Sequence, residues 1–323
     1  MRYSSPSLPT PALSEKPTFS NDEPEIILRF ALQNISQTDM PARFRTMLDH
    51  LADHNMMRGL EKCNASGSGE FFAEDLLPLI AALRKAGNEG EHSSIAIVDL
   101  RRESHCFVNG WPYFWYARPQ GPDYVYDQYN AGKTAQEIEK DELVRIQKLL
   151  SDGIVTAYYP VEGETTVSPM DITRQKQFMV QRAVTEKHIV EKHGLHYCRL
   201  PIVDRHAPTV QEVDDVLNFF KNNQFSWLHF HCNAGKGRTT TALFMLDAFH
   251  NAKDVDFEIL VQRQYLLGGI DLAMTEQLTP WETEWYKENL ATCKNFYRYC
   301  VENTDAYETS YSAWLKNQSK NSA

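Results

Sequence analysis

The chain has 323 residues, of which 42% are hydrophobic and 11% aromatic, so it can form one large domain or a core with a smaller inserted domain. Its formal net charge of −10 argues against nucleic acids and acidic membrane surfaces as general partners, although a local basic pocket can still bind a small anion. The six cysteines form neither a CxxC pair nor a cluster at zinc spacing, so a structural metal is not expected.

The first 24 residues are rich in Pro and Ser and are predicted to form a disordered N-terminal segment. They contain no apolar core of a secretory signal, and no apolar run elsewhere reaches transmembrane length. We therefore expect a soluble protein without a membrane span. The sequence leaves the location of the protein, its route of export and its oligomeric state open.

Apolar spacing and turn residues predict alternating helices and strands along the chain. Thr134 with Glu137, and Thr209 with Glu212, form capping boxes at the starts of two helices. The predicted helices are 71–86 with a break at Pro78, 134–151, 185–193 and the helix after Thr209, and the predicted buried strands are 94–100, 154–159, 196–201 and 225–230.

Aromatic residues, Gly and Pro are concentrated in residues 107–129, which are typical of short strands and turns. We predict that residues 105–180 form a small β-rich domain inserted into a main domain of residues 25–104 and 181–323, with approximate boundaries. The charged run 101–105 follows a predicted strand. It either faces a site, as strand ends often do in α/β folds, or lies on the surface.

Residues 231–240, His-Cys-Asn-Ala-Gly-Lys-Gly-Arg-Thr-Thr, lie between the predicted strand 225–230 and a predicted helix 239–250. A glycine-bearing loop in that position points backbone N–H groups at one spot, and the helix dipole adds about half a positive charge there. That spot suits a phosphate, which would be surrounded by Asn233, Ala234, Gly235, Lys236 and Gly237.

The side chains of this loop suit nucleophilic attack on phosphorus. The electropositive helix start favours the thiolate of Cys232, and a thiolate is a good nucleophile. Arg238 can hold two phosphate oxygens, Thr239 can hydrogen-bond the sulfur, and His231 can fix the loop from outside. This predicts a cysteinyl-phosphate intermediate that water hydrolyses. The alternative is a structural glycine-rich turn with a buried cysteine.

Asp204 lies on a loop before the helix that leads into this motif. Hydrolysis of a phosphate monoester needs a proton donor for the departing oxygen, and a carboxyl group on a mobile loop can supply it. The alternative is a turn or capping aspartate. Arg205 and His206, together with Lys236 and Arg45, could surround a ring that carries several phosphates.

Downstream of the motif, Gln264 lies near the end of a predicted helix and could position the attacking water. Two neighbours, Gln262 and Tyr265, are equally placed by sequence alone. A long helix is predicted at 281–303, and its Trp285 is expected to lie in the core.

Together these motifs resemble those of the bacterial PTP-like phytases, also called cysteine phytases or inositol polyphosphate phosphatases, over nearly everything from residue 41 onward. The resemblance implies an α/β fold, with a tyrosine-phosphatase-like core of a central mixed sheet flanked by helices and a small inserted partial β-barrel domain. It rests on the Cys-X5-Arg loop, the Asp204 loop, and the stretches 44–46, 66–69, 98–101, 103–105, 109–110, 227–232, 296–299 and 314–316.

The resemblance implies stepwise removal of phosphates from myo-inositol hexakisphosphate and lower inositol polyphosphates, with no cofactor and no metal. By position, Cys232 matches the nucleophile, Arg238 the phosphate-binding arginine and Asp204 the general acid. Arg45 matches an arginine that reaches a substrate phosphate, and Arg182 falls near a basic residue with the same purpose.

Two features depart from the family pattern. Arg205 separates the acid from His206, which would follow it directly in relatives. Residues 281–286 carry acids where lysine would meet outer phosphates, although Tyr286 could still line the pocket. These departures put in doubt the affinity for the most phosphorylated substrate and the order of removal.

Other substrates and another class of function remain alternatives. The loop sequence also resembles phosphoinositide 3-phosphatases, so a phosphoinositide headgroup or a phosphotyrosine protein is an alternative substrate. A catalytically silent inositol-phosphate-binding module is the alternative from another class. Family members are bacterial, and some are exported or injected into hosts, so delivery to a host is compatible with this sequence.

Overall fold

The computed structural model describes residues 26–30, 40–86, 94–117, 130–159, 174–276, 278 and 280–321. The predicted disordered segment 1–24 lies outside these residues. The strands are β1 (Ile26–Phe30), β2 (Arg45–Thr46), β3 (Ala65–Ser68), β4 (Ile95–Arg101), β5 (His105–Val108), β6 (Trp111–Ala117), β7 (Ile154–Tyr159), β8 (Arg174–Met179), β9 (Ala183–Val184), β10 (His196–Ile202) and β11 (Trp227–His231). The helices are α1 (His54–Met57), α2 (Leu76–Ala86), α3 (Ala135–Asp152), α4 (Glu186–Lys192), α5 (Val210–Asn222), α6 (Gly237–Asn251), α7 (Phe257–Leu266), α8 (Pro280–Glu302) and α9 (Tyr311–Asn321).

The main hydrophobic core surrounds a five-stranded sheet with the order β10-β4-β11-β3-β2. Neighbouring strands are parallel except for the antiparallel β2–β3 pair at one edge. Helix α6 packs against β3, β11, α7 and α8 and is buried along almost its whole length. A helix that is surrounded on all sides has little freedom to shift. The sheet and α6 therefore fix the connection between β11 and α6.

A second sheet has six strands in the order β8-β7-β1-β6-β5-β9. Strand β1 lies between β6 and β7, antiparallel to the first and parallel to the second. The sheet therefore takes β1 and β9 from outside residues 105–180, on either side of that range. The boundaries of an inserted domain, and its closure into a partial barrel, stay predictions.

Both predicted capping boxes are confirmed. At the start of α3, the Thr134 side chain accepts a hydrogen bond from the Glu137 N–H, and the Glu137 carboxylate accepts one from the Thr134 N–H. Thr209 and Glu212 make the same reciprocal pair at the start of α5. Each box satisfies N–H groups that a helix start would otherwise leave without partners.

Helix α2 begins at Leu76, which is later than the predicted start at Phe71. Phe71 is instead buried against Phe107, with ring centroids 5.8 Å apart. Pro78 lies in the first turn of α2, where backbone N–H groups have no partner within the helix. A proline costs little there, so the predicted break at Pro78 is wrong.

The described elements confirm the predicted α/β class, with two sheets and helices between and around their strands. Within the described ranges, no helix combines the length and the hydropathy that crossing a membrane requires.

Candidate active site

The motif predicted to bind phosphate forms a tight loop between β11 and the start of α6, as expected. Gly235 has φ +67°, and a Cβ atom there would lie 2.4 Å from the backbone nitrogen of Gly69. Gly237 faces the indole of Trp285, and a Cβ atom would lie 2.6 Å from its Cζ2. Both glycines are therefore required by close approach, one to the backbone after β3 and one to α8.

Cys232 opens the loop and is 3% exposed. The Thr239 Oγ1 lies 3.2 Å from its Sγ and 3.3 Å from the carbonyl oxygen of Ser68. A hydroxyl has one proton to give, so Thr239 can donate to the sulfur or to the carbonyl, but not to both at once. This places Thr239 where the sequence predicted it, within hydrogen-bond distance of the sulfur.

Arg238 is buried and held by two parallel contacts with Glu103, Nη1 to Oε2 at 2.7 Å and Nη2 to Oε1 at 3.1 Å. Burial by itself would raise the pKa of the Glu103 carboxyl, but the guanidinium groups of Arg238 and Arg101 lower it to about 2. Glu103 is therefore a carboxylate, and it fixes the plane of Arg238.

Asp204 reaches the same guanidinium from the acid loop, which is residues 203–208. Its Oδ1 lies 2.9 Å from Nη2 of Arg238, and its side chain is 42% exposed. His206 Nδ1 lies 2.8 Å from the Asp204 carbonyl oxygen, and Arg205 has φ +57°. Thr209, not Asp204, caps α5, so the capping alternative for Asp204 is wrong.

His231, at the end of β11, is fully buried below the loop. Its Nε2 lies 2.9 Å from Glu186 Oε1, at the start of α4. Burial lowers the pKa of His231, but Glu186, Glu70 and Asp99 together outweigh burial and raise it to about 9. Glu186 also contacts His105, whose Nε2 lies 2.9 Å from Oε2. A positive imidazolium is therefore anchored directly behind the nucleophile candidate.

Two arginines, Arg43 and Arg205, act electrostatically on Lys236 of the loop. Lys236 is half-buried, and burial together with Arg43 and Arg205 lowers its pKa, while Glu282 opposes the shift. Arg43 is exposed and has φ +58°. Like charges gathered at one place repel one another, and an anion with several negative charges would relieve that repulsion.

Arg45, predicted to reach a substrate phosphate, lies behind the loop instead of above it. Its Nη1 donates to the carbonyl oxygens of Gly235 and Arg43, at 3.1 and 3.0 Å, and its Nη2 donates to Thr240 Oγ1. Burial lowers its pKa to about 10. Arg45 thus braces the loop, and a direct phosphate contact by this residue stays a prediction.

Other candidate residues lie at varying distances from the loop. The Asn233 carbonyl accepts from the N–H of Glu70, and Ala234 packs against Gly69. The ring of Tyr286 contacts Trp285 edge-on at 4.5 Å, and burial raises its pKa. Tyr286 therefore lies next to Trp285, which covers Gly237, and its place in the substrate pocket stays a prediction.

Gln264 and Arg182 have contacts elsewhere. The side-chain nitrogen of Gln264 lies 3.1 Å from Asp247 Oδ2, within the core between α6 and α7. The backbone of Arg182 forms hydrogen bonds with Asn109, which follows the C-terminal end of β5. Glu103 lies before the other end of that strand. A water-positioning role for Gln264 and a phosphate contact for Arg182 stay predictions without a supporting contact.

Sequence reasoning missed several residues of the site: Glu186, which pairs with His231; Arg43, which acts on Lys236; and also Trp285 and Glu103. Trp285, expected in the core, covers Gly237 instead. Glu103, which holds Arg238, belongs to the charged run 101–105 that the sequence left between a site and the surface. That run is buried. The sequence feature that could have identified Glu103 as a site residue is its position just after β4.

Two buried groups of side chains have the spacing of metal ligands: Glu70, Glu186 and His231, and Asp99, His105 and Glu186. In both groups a carboxylate already pairs with a buried arginine, Glu70 with Arg101 and Asp99 with Arg199. These arginines compete with a cation for the same oxygens. The expectation that the protein needs no metal stays a prediction.

The comparisons with known proteins point to one family. A family model described as PTP-like phytase, inositol hexakisphosphate, matches residues 98–249. The tandemly repeated PTP-like phytase of Mitsuokella multacida is similar over 93% of this chain and 50% of its own, at 30% identity and a TM-score of 0.76. The PTP-like phytase of Bdellovibrio bacteriovorus is similar over 93% of this chain and 98% of its own, at 25% identity and a TM-score of 0.64.

Two further relatives extend this picture. The PTP-like myo-inositol phosphatase of M. multacida, solved with myo-inositol-(1,3,4,5)-tetrakisphosphate, is 28% identical, with a TM-score of 0.75, and matches 94% of this chain and 49% of its own. Effector protein hopD2 of Pseudomonas syringae pv. tomato is 28% identical over 227 residues, 68% of this chain and 46% of that protein. The chain spans about half the length of these relatives.

Proposed function

Because this chain is similar to PTP-like phytases over most of its length, we propose that it is a cysteine-dependent phosphatase that hydrolyses myo-inositol hexakisphosphate and lower inositol polyphosphates stepwise. The observation that carries the proposal is the Arg238 guanidinium. Glu103 holds it from one side, and Asp204 reaches it from the other. A phosphate gripped by Arg238 would thus lie near both the sulfur of Cys232 and a carboxyl group.

In the first step the Cys232 thiolate attacks phosphorus, an S–P bond forms and the ester P–O bond breaks. Asp204 gives its proton to the leaving oxygen of the inositol ring. In the second step water attacks the phosphocysteine, Asp204 takes a proton from that water, and the thiolate leaves. The Thr239 hydroxyl, 3.2 Å from the sulfur, stabilises the returning charge.

The contact between Asp204 and Arg238 suggests how substrate prepares the acid. Without substrate, Asp204 Oδ1 takes one donor of the guanidinium, at 2.9 Å. A bound phosphate competes for that donor because the arginine fork matches phosphate oxygens. Asp204 is then displaced toward the leaving group.

Lys236 and the two arginines that act on it support a substrate with several phosphates. Arg43 and Arg205 lie close enough to Lys236 to contribute to the lowering of its pKa. A single phosphotyrosine would occupy the loop and would bring no second phosphate to these cations. A phosphoinositide headgroup shares the chemistry of a soluble inositol phosphate, so experiment must separate the two.

The test is phosphate release, with a chelator present, from four substrates: soluble inositol hexakisphosphate, a phosphoinositide headgroup, the same headgroup in vesicles and a phosphotyrosine peptide. The control is Cys232→Ser, which removes the nucleophile but keeps the shape of the loop. We expect fast release from the hexakisphosphate by the wild-type protein and none by Cys232→Ser.

Each of the other outcomes would support a different function. Release from the headgroup but not from the hexakisphosphate would move the substrate to phosphoinositides. Release from the peptide alone would indicate a protein phosphatase. Tight binding of hexakisphosphate without any release would support a silent binding module, and full activity of Cys232→Ser would exclude the thiolate mechanism.

We further propose that the protein acts after delivery to a host cell, on the strength of its similarity to an effector protein. An epitope-tagged full-length chain should then be found inside host cells in contact with the source bacterium. Retention of the tagged chain in the bacterium would contradict this.

A further inference from the structure

The residue before Glu103 has contacts that point to the other half of the site. Strand β4 ends at Arg101, and the next two residues, Arg102 and Glu103, are both buried. Glu103 turns toward the phosphate loop and holds Arg238. Arg102 turns toward the segment that carries Asp204.

The two terminal nitrogens of Arg102 have four N–H bonds, and four acceptors surround them. Nη2 donates to the Pro201 carbonyl at 2.6 Å and to Glu212 Oε1 at 2.5 Å. Nη1 donates to the carbonyls of Lys133 at 2.8 Å and Asn130 at 3.4 Å. One guanidinium therefore joins the end of β10, the start of α5 and the turn before α3.

Pro201 and Glu212 stand at the two ends of the segment that contains the acid loop. Glu212 has a second task, because its Oε2 accepts the Thr209 N–H at 2.7 Å in the capping box of α5. Arg102 thus holds the chain before the acid loop through a carbonyl and the chain after it through a capping carboxylate. The contact with Glu212 is buried and the contact with Pro201 is partly buried, and charge-assisted hydrogen bonds are strong where water is excluded.

We propose that Arg102 is a positioning residue, a clamp on both ends of the acid loop that sets the Asp204 carboxyl opposite Arg238. The inference rests on the proposed function, since it gives Asp204 the role of proton donor. Arg102 and Glu103 are consecutive residues directly after β4. Two neighbouring residues therefore position the acid loop and the phosphate-binding Arg238. Asp204 itself is 42% exposed, so the acid loop needs this support from its ends.

The physical reason for such a clamp is geometric. Proton transfer requires the donor within about 2.6–3.2 Å of the departing oxygen, and misplacement by about 1 Å can cost 100-fold in rate. The acid loop also contains Arg205 at φ +57°, a conformation that costs free energy and persists only when surroundings enforce it. Fixed ends supply that enforcement.

Two conservative variants test the clamp. Arg102→Lys keeps the positive charge but has three donors at one point, so it cannot join all three segments. Glu212→Gln keeps an acceptor for the capping box but removes the charged partner of Arg102. The matched control is Glu137→Gln, the equivalent change in the exposed capping box of α3.

The kinetic readout compares inositol hexakisphosphate with p-nitrophenyl phosphate, whose leaving group needs little proton donation. We expect both variants to lower kcat for the hexakisphosphate by about 10- to 100-fold and for the aryl ester by less than about 3-fold. In an Asp204→Asn background the same changes should add almost nothing, because the acid is already missing. Glu137→Gln should leave both substrates unchanged.

Hydrogen exchange of residues 203–208 gives a readout that does not depend on activity. We expect faster exchange there in Arg102→Lys and Glu212→Gln than in the wild type or Glu137→Gln. Three results would overturn the proposed clamp. They are an unchanged hydrogen-exchange rate of residues 203–208, equal losses of kcat on both substrates, and a full further loss of kcat in the Asp204→Asn background. An inactive wild type would overturn the proposed function, and the exchange rates would still decide whether Arg102 holds the loop.

Discussion

Two regions of the site, which we call its floor and its rim, differ in how their charges are arranged. The floor comprises buried residues: Cys232, Arg238, Glu103, His231 and Glu186. Within it each cation has an anion at close range, Arg238 with Glu103 at 2.7 Å and His231 with Glu186 at 2.9 Å. The rim comprises exposed or half-buried residues: Arg43, Asp204, Arg205, Lys236 and Tyr286. Its cations gather near one another.

This difference suggests that the floor carries out the reaction and that the rim selects the substrate. Charges that are already paired in the floor keep their positions when a phosphate arrives, so little reorganisation accompanies the reaction. Like charges at the rim are costly until an anion comes between them. Changes at the rim could therefore alter the preferred phosphate ester while the floor stays the same.

The largest effect is expected at Asp204, the rim residue that touches the floor. Asp204→Asn keeps the shape but cannot donate the proton, so kcat for inositol hexakisphosphate should fall by about 10²- to 10⁴-fold. The rate for p-nitrophenyl phosphate should change far less. Steady-state kinetics on both esters, with the exposed Asp215→Asn on α5 as control, measures this ratio. Equal losses on both esters would make Asp204 a structural residue.

The next effect concerns the pairing in the floor. The pKa of His231 rises from about 6.5 to about 9 on folding, so its contribution to stability is complete below pH 6.5 and is lost as pH rises through 9. The pKa of Glu186 falls to about 2, burial opposing and His231 lowering it, so its contribution is present above about pH 4.5. The pair therefore stabilises the fold most between about pH 4.5 and 6.5.

Glu186→Gln should lower the free energy of unfolding by roughly 3–5 kcal/mol near pH 6, because it leaves a buried charge without its partner. The deficit should shrink toward pH 9 and above. Thermal unfolding as a function of pH measures it, with Glu139→Gln as control because that residue forms only a partly exposed pair with Lys187. A deficit that does not vary with pH would mean that the ion pair is not its source.

The smallest effect is expected at Lys236. Lys236→Gln removes one charge-assisted contact, worth about 1.5 kcal/mol, so KM for inositol hexakisphosphate should rise about 10-fold. KM for p-nitrophenyl phosphate, which has one phosphate, should change by less than about 3-fold. Lys148→Gln, on the exposed face of α3, is the control. Equal rises in KM for both esters would mean that Lys236 contacts the reacting phosphate. Lys236 would then belong to the floor of the site and not to its rim.

The local features of the fold were predictable from sequence because they depend on neighbours in the chain. The strand, loop and helix around Cys232 follow from a short motif, and the capping boxes follow from residues three apart. The 3.2 Å contact between Thr239 and Cys232 belongs to the same class, since a single turn brings them together.

The tertiary partners of the site were not predictable in this way. Glu186 reaches His231 across 45 residues, and nothing in either local sequence identifies the other. Arg43 and Arg45 flank one phenylalanine, yet Arg43 is exposed and Arg45 braces the loop from behind. Arg43 lies in the turn before β2, with φ +58°, whereas Arg45 is the first residue of β2. The helical spacing around Trp285 predicted a buried face but not which element it covers.

The place of β1 in the six-stranded sheet has a consequence for synthesis. Leu28 pairs with Trp115 and with Ala157, which lie 87 (115 − 28) and 129 (157 − 28) residues further along the chain. At about 5–20 residues per second, the ribosome adds the second partner roughly 6–26 s after β1 is made. An apolar strand with two open edges must wait that long near the ribosome, and it becomes internal only when β7 arrives. The nascent chain is therefore most exposed to mispairing before residue 157 is added.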